Sequence, residues 1–102
     1  DNIILVGGHL DSWDVSEGAH DDGAGCVHSI GALRLFQKQG IKPKNTLRAV
    51  MFMNEENGLR GAKKYFEIII NDFPDTDYAT DSKYKLELII EISASKEMYL
   101  AR

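Results

Sequence analysis

Ile3-Ile4-Leu5-Val6-Gly7-Gly8 follows Asp1-Asn2 near the start of the chain, and His9-Leu10-Asp11 comes directly after it. Four consecutive apolar residues closed by two glycines fit a short strand buried on both faces of an α/β sheet. Residues 9 to 21 are polar, rich in Asp and Gly, and read as a loop. From about Asp22 to Gln39 the pattern turns helical. Cys26, Ile30 and Leu33 recur at i, i+4 and i+7, with Val27 and Phe36 flanking that face. Asp22 is placed to cap the start of this helix and Gly40 to end it.

The same punctuation continues. Lys42 to Asn45 is a loop, Thr46 to Met53 a second strand, and Asn54 to Gly58 a turn that carries two glutamates. Leu59 to about Ile70 predicts a second helix, with Ala62, Phe66 and Ile69 on one face. Asn71 to Ser82 holds Pro74 and several aspartates and reads as a loop, and Leu86 to Ile92 as a third strand. The resulting βαβαβ order predicts an α/β fold with right-handed crossovers, a mostly parallel sheet and helices packed on it. Polar clusters follow the carboxyl ends of the first two strands, where open α/β sheets form their ligand sites.

With 102 residues there is room for one small domain at most, with a modest core. A net charge of −4, without a basic stripe, argues against nucleic acid as a partner. Cys26 is the only cysteine, so no internal disulfide can form, and its place on the helix face makes it a small core residue rather than a nucleophile. No run approaches the roughly 20 apolar residues of a membrane-spanning helix. The opening run lacks a basic leader segment, so it reads as a strand rather than a signal peptide. A chain that begins in a strand reads as an excerpt of a longer protein.

Three clusters carry the chemistry: His9-Leu10-Asp11, Asp21-Asp22 and Glu55-Glu56. Alone, each has an ordinary reading as a loop histidine, a turn with a helix cap, and a solvated acidic pair. Together, at successive strand ends, they offer imidazole and carboxylate without thiolate, a donor set that suits Zn²⁺ or another borderline divalent metal. His9 could ligate through one ring nitrogen while Asp11 orients or polarises the ring without touching the metal. Asp21 could bridge two metals. Of two adjacent glutamates, one can ligate while the other takes the proton from an attacking water.

Gly7-Gly8-His9-Leu10-Asp11-Ser12-Trp13-Asp14-Val15, Gly18-Ala19-His20-Asp21-Asp22-Gly23-Ala24-Gly25 and Asn54-Glu55-Glu56-Asn57-Gly58 closely resemble a family of aminopeptidases and carboxypeptidases with two co-catalytic zincs. The resemblance runs from about Ile3 to Tyr65 and includes Lys42 to Arg48. It implies that His9 ligates one zinc with Asp11 in support, that Asp21 bridges both zincs, that Glu55 is the general base, and that Glu56 ligates the other zinc. Asp21 is preferred to Asp22 because the family's bridging aspartate sits four residues before the glycine that Gly25 matches. No organic cofactor is implied. The implied fold is an α/β sandwich around a mixed sheet, of which residues 1–102 are a part, incomplete on the C-terminal side and also on the N-terminal side. The implied reaction removes a terminal residue from a peptide or dipeptide. The resemblance also suggests a secreted, lysosomal or periplasmic location, and it admits a homodimeric parent.

Two further ligands are expected on the same grounds. Leu88-Ile89-Ile90-Glu91-Ile92-Ser93 occupies the place of the next ligand-bearing strand and sets Ser93 where an aspartate belongs. A late histidine would lie beyond residue 102, because His9, His20 and His28 are all early; His20 reads as a loop histidine and His28 as structural. With the ligand set incomplete, the isolated chain is expected to be inactive. The competing reading is a truncated or non-catalytic peptidase-like domain used in binding. Trp13 either walls a substrate cleft or packs its own loop.

Overall fold

Ile3–His9 and Thr46–Phe52 form two strands, β1 and β2, paired in parallel from Ile3 with Thr46 to His9 with Phe52. The computed structural model describes residues 2–100, with side chains for residues 2–93. Ile, Val, Thr and Phe supply the β-favouring content of both strands. Two hydrogen bonds lengthen the ladder, from the Thr46 N–H to the Asn2 carbonyl (3.1 Å) and from the Leu10 N–H to the Phe52 carbonyl (2.8 Å). Parallel strands cannot be joined by a hairpin, and the crossover is α1, Ala24–Lys38, which packs on both strands.

The contact between β1 and α1 is close because glycines permit it. A Cβ on Gly8 would stand 2.8 Å from the Cys26 backbone nitrogen, and one on Gly25 would collide with the Asp22 carboxylate. Asp22 fastens the joint: its Oδ1 accepts the Gly25 N–H and its Oδ2 accepts the His9 N–H, each at 3.0 Å. The C-terminus of α1 closes in a Schellman motif. Gly40 takes φ 65°, its N–H reaches the Gln37 carbonyl, and the Ile41 N–H reaches the Phe36 carbonyl.

The chain divides into two compact units, Asp1–Glu56 and Asn57–Arg102. The first holds β1, α1 and β2. The second is a helical pair, α2 (Arg60–Asp72) and α3 (Asp77–Leu100), packed against each other. Phe66 of α2 is buried, with its ring edge-on to Tyr65 at a centroid distance of 5.5 Å. Thr76 caps α3: its hydroxyl donates to the Phe73 carbonyl (2.7 Å) and accepts the Ala79 N–H (3.2 Å). Asp77 adds a negative charge to the first turn, where the helix dipole favours it. No helix among the described residues is long and apolar enough to cross a membrane.

The α/β class expected from the sequence is present, as two parallel strands and three helices. The third strand is not: Leu86 to Ile92 lies inside α3, and the loop expected over Asn71 to Ser82 shrinks to residues 73–76. The physical reason is periodicity. Ala79, Ser82, Leu86, Ile89 and Ser93 recur at alternating steps of three and four, and with Lys85 they are the buried or half-buried residues of α3 among the described side chains. A strand would have placed Leu86, Leu88, Ile90 and Ile92 on one face, yet the last three are 39%, 53% and 48% exposed. Helix-favouring Lys, Leu and Glu fill the segment, and Asp81 pairs with Lys85 one turn on. Ser93 is therefore a helical residue and does not stand at a strand end, so its reading as a replaced metal ligand loses its basis.

Two smaller expectations also change. Ile3, Ile4 and Leu5 are 36–45% exposed rather than buried on both faces, because among the described residues of this unit one helix covers the two strands. On α1 the inward residues are Cys26 and Ser29, with Leu33 and Phe36 half-buried, while Ile30 and Val27 face outward. The close approach of β1 at Cys26 sets this rotation.

Gly8→Ala is expected to lower stability by about 1–3 kcal/mol, since the start of α1 must move off β1. Thr76→Ala is expected to cost about 1 kcal/mol through the lost cap. Urea denaturation followed by circular dichroism reads both, with the fully exposed Val15→Ala as a control that stays within about 0.5 kcal/mol of the parent.

Candidate metal centre

β1 ends at His9, β2 ends just before Glu55 and Glu56, and the register that pairs His9 with Phe52 brings these ends together. The loop before α1 supplies Asp21. Its path is set by Gly18 at φ 64° and by the Gly23 N–H, which reaches back to the Gly18 carbonyl at 2.7 Å. The Asp21–Asp22 peptide bond within that turn is cis.

The His9 ring has a polar partner at each nitrogen. Nδ1 donates to the Asp11 backbone carbonyl at 2.8 Å; a carbonyl has no proton to give, so the proton is on Nδ1. Nε2 then faces Asp21 Oδ1 at 3.0 Å and Glu55 Oε2 at 3.8 Å. An unprotonated ring nitrogen and a carboxylate oxygen are both acceptors, so a contact of 3.0 Å needs a proton or a cation between them. Burial alone would lower the pKa of His9. The Asp11 carbonyl, Glu55, Asp21 and Asp22 outweigh it, and the pKa rises above the ordinary 6.5.

Glu56 tells a similar story. Its Oε1 is shut off from solvent and has no hydrogen-bond partner. Burial first, then repulsion from Asp21 and Glu55, pushes its carboxyl above the usual glutamate range. An orphaned carboxylate oxygen in a crowd of acids is a place where a cation lowers the energy. His9, Asp21 and Glu56 each present one donor atom, and these atoms lie within 4.8 Å of one another. Imidazole with two carboxylates is a donor set that zinc accepts.

Asp22 and Asp11 are committed elsewhere. Asp22 spends both oxygens on backbone N–H groups, while its neighbour Asp21 is turned toward His9. The Asp11 carboxylate lies 3.6 Å from Nδ1, too far for a hydrogen bond. Its oxygens instead accept the N–H groups of Glu55 and Glu56, each at 3.0 Å. Burial works to raise its pKa, but these amides, with His9, hold it below the ordinary value. Nothing in the sequence points to the Asp11 carbonyl as the partner of the ring, because a backbone group carries no residue signature. Cys26 is buried with its thiol donating to the His9 carbonyl (3.1 Å), and burial with nearby Asp22 pushes its pKa up, so it stays a protonated core residue. Trp13 is 58% exposed, and His20 and His28 are exposed.

Comparison with known proteins follows the same residues. Carboxypeptidase Q of Xenopus laevis is 43% identical over 82 residues, which is 80% of this chain and 18% of that protein. Carboxypeptidase Q of Homo sapiens is 48% identical over 68 residues, 67% of this chain and 14% of its own. The vacuolar membrane protease of Verticillium alfalfae is 41% identical over 73 residues, 72% of this chain and 7% of its own. The chain thus spans at most 18% of the length of these relatives. No solved structure matches it. The model of peptidase family M28 matches residues 1–94, beyond the 3–65 over which the resemblance is legible, so the segment from Asp72 falls inside the match. On that match, the chain belongs to peptidase family M28.

Proposed function

We propose that this chain forms part of a zinc-dependent exopeptidase that hydrolyses peptides or dipeptides, with His9, Asp21 and Glu56 as metal ligands and Glu55 as general base. The observation that carries the reading is the convergence of one imidazole and two carboxylates within 4.8 Å, in a chain of a peptidase family. Two similar proteins are named carboxypeptidase Q, which favours the exopeptidase class. Zinc, when bound, supplies positive charge that polarises a peptide carbonyl and acidifies water.

The remaining steps belong to the protein. His9 offers Nε2 because the Asp11 carbonyl keeps the proton on Nδ1. Glu56 brings an oxygen that has no competing donor. Asp21, the most exposed of the three, reaches in from the loop, and its carboxylate would be the group shared between two ions were both bound. Glu55, with Oε2 3.8 Å from the His9 ring nitrogen, is close enough to take a proton from water attacking the carbonyl and pass it to the leaving amine. The compartment that fits this reading is secreted or vacuolar-lysosomal, supported by the name of the fungal relative.

Zinc binding by the chain is expected to weaken as pH falls. In the metal-free state, protonated His9 contributes stability that is complete below pH 6.5 and is lost as pH rises through its raised pKa. A metal must displace that proton, so affinity should drop about tenfold per pH unit below the raised value, with protons released on binding. Isothermal titration calorimetry in buffers of different ionisation enthalpy measures both; affinity that stays flat from about pH 8 to about pH 5 removes His9 from the ligand set.

In a polypeptide that contains this chain and cleaves peptides, Glu55→Gln is expected to lower kcat by about 10²–10⁴-fold while zinc content, read by elemental analysis, is unchanged. Retained activity would sink the general-base assignment. A parent protein that copurifies with no zinc and is indifferent to chelators would sink the metal reading itself.

A further inference from the structure

Asp11 faces two tasks in this site, and the geometry separates them. The His9 ring is held by the Asp11 backbone carbonyl at 2.8 Å, while the carboxylate stands off at 3.6 Å. That carboxylate makes two short hydrogen bonds elsewhere, one oxygen to the Glu55 N–H and the other to the Glu56 N–H, 44 and 45 residues away in sequence. Asn54 adopts φ 62° just before them, a left-handed turn that asparagine tolerates. The chain thereby aims two successive N–H groups at one anion, in the manner of backbone anion-binding concavities. The Asp11 side chain is only 17% exposed, so water competes weakly for these bonds.

We propose that Asp11 is a positioning residue for Glu55 and Glu56: its carboxylate clamps the backbone between them and so sets where their side chains stand, while its carbonyl, and not its carboxylate, orients His9. Two charge-assisted bonds to adjacent amides restrain both dihedral angles of Glu55, the residue between those amides. The clamp needs two acceptors. Asparagine has one, and its NH₂ group would be driven against the second N–H. The catalytic consequence rests on the metallopeptidase reading above; the clamp is a property of the metal-free chain.

The test begins on the unmodified 102-residue chain labelled with ¹⁵N and ¹³C, without metal. Scalar couplings across the hydrogen bonds, from the Glu55 and Glu56 amide nitrogens to the Asp11 Cγ, are expected for both amides, and absence of both overturns the clamp. In Asp11→Asn, amide exchange at Glu55 and Glu56 should quicken by about tenfold or more, while exchange along β1 and β2 and the His9 ring tautomer stay as in the parent. The reverse pattern, with an altered tautomer and unchanged amides, would mean that the carboxylate serves His9 and would overturn the proposal. If Asp11→Asn does not fold, the couplings in the unmodified chain decide. In a peptidase-active polypeptide containing this chain, Asp11→Asn should lower kcat more than tenfold with KM nearly unchanged; an unaltered kcat overturns the positioning role. A parent with no zinc-dependent activity overturns the peptidase reading instead, and leaves the couplings to judge the clamp.

Discussion

Parallel pairing of Ile3–His9 with Thr46–Phe52, in a register that ends both strands at the same edge, is the constraint on which the site depends. His9 and the Glu55-Glu56 pair are more than 40 residues apart in sequence. Only a parallel ladder sets both of their strand ends side by side, and only a crossover such as α1 permits a parallel ladder. The crossover also determines where Asp21 arrives, because the loop that carries it must enter α1 beside the end of β1. Asp22 locks that entry by holding the His9 N–H and the Gly25 N–H with one carboxylate. The glycines at 8 and 25 keep the joint free of side chains that would push the helix away.

Within that frame the charges do not balance among themselves. Asp11 and Asp22 each have both carboxylate oxygens hydrogen-bonded to backbone N–H groups. Asp21, Glu55 and Glu56 face the His9 imidazole; burial, then the neighbouring acids, raise the pKa of Glu56, while the Asp11 carbonyl and the same acids raise that of His9 against its burial. A proton on His9 offsets these acids in part. The shut-off oxygen of Glu56 is left without a partner. The arrangement is thus divided between carboxylates that hold the backbone and carboxylates that face the imidazole, and the sequence neighbours Asp21 and Asp22 fall on opposite sides of that division.

The second unit obeys a different rule. α2 and α3 bury a narrow stripe, with Phe66 from one helix and Ala79, Ser82 and Ile89 from the other. The small residues Ala79 and Ser82 allow close approach, and the apolar content of Leu88, Ile90 and Ile92 is left on the outside. That distribution explains why a run of leucine and isoleucine that looks like a strand becomes part of a helix: the three-and-four spacing of the buried residues lies partly upstream of the run, at residues whose size hides their role.

Sequence alone determines the α/β alternation of the first 56 residues, the start of α1 shortly after Asp22 and its stop before Gly40, and the membership of His9, Asp11, Asp21, Glu55 and Glu56 in polar clusters near strand ends. These follow from local causes, namely apolar runs, caps and glycine turns, which a linear reading detects. Tertiary structure alone decides which carboxylates face the imidazole and which hold the backbone, because that depends on distances between residues far apart in the chain. It also decides that Leu86 to Ile92 is helical and that the Asp11 carbonyl fixes the His9 tautomer. Burial selects among periodicities that a sequence leaves open, and backbone groups act without leaving a residue to read.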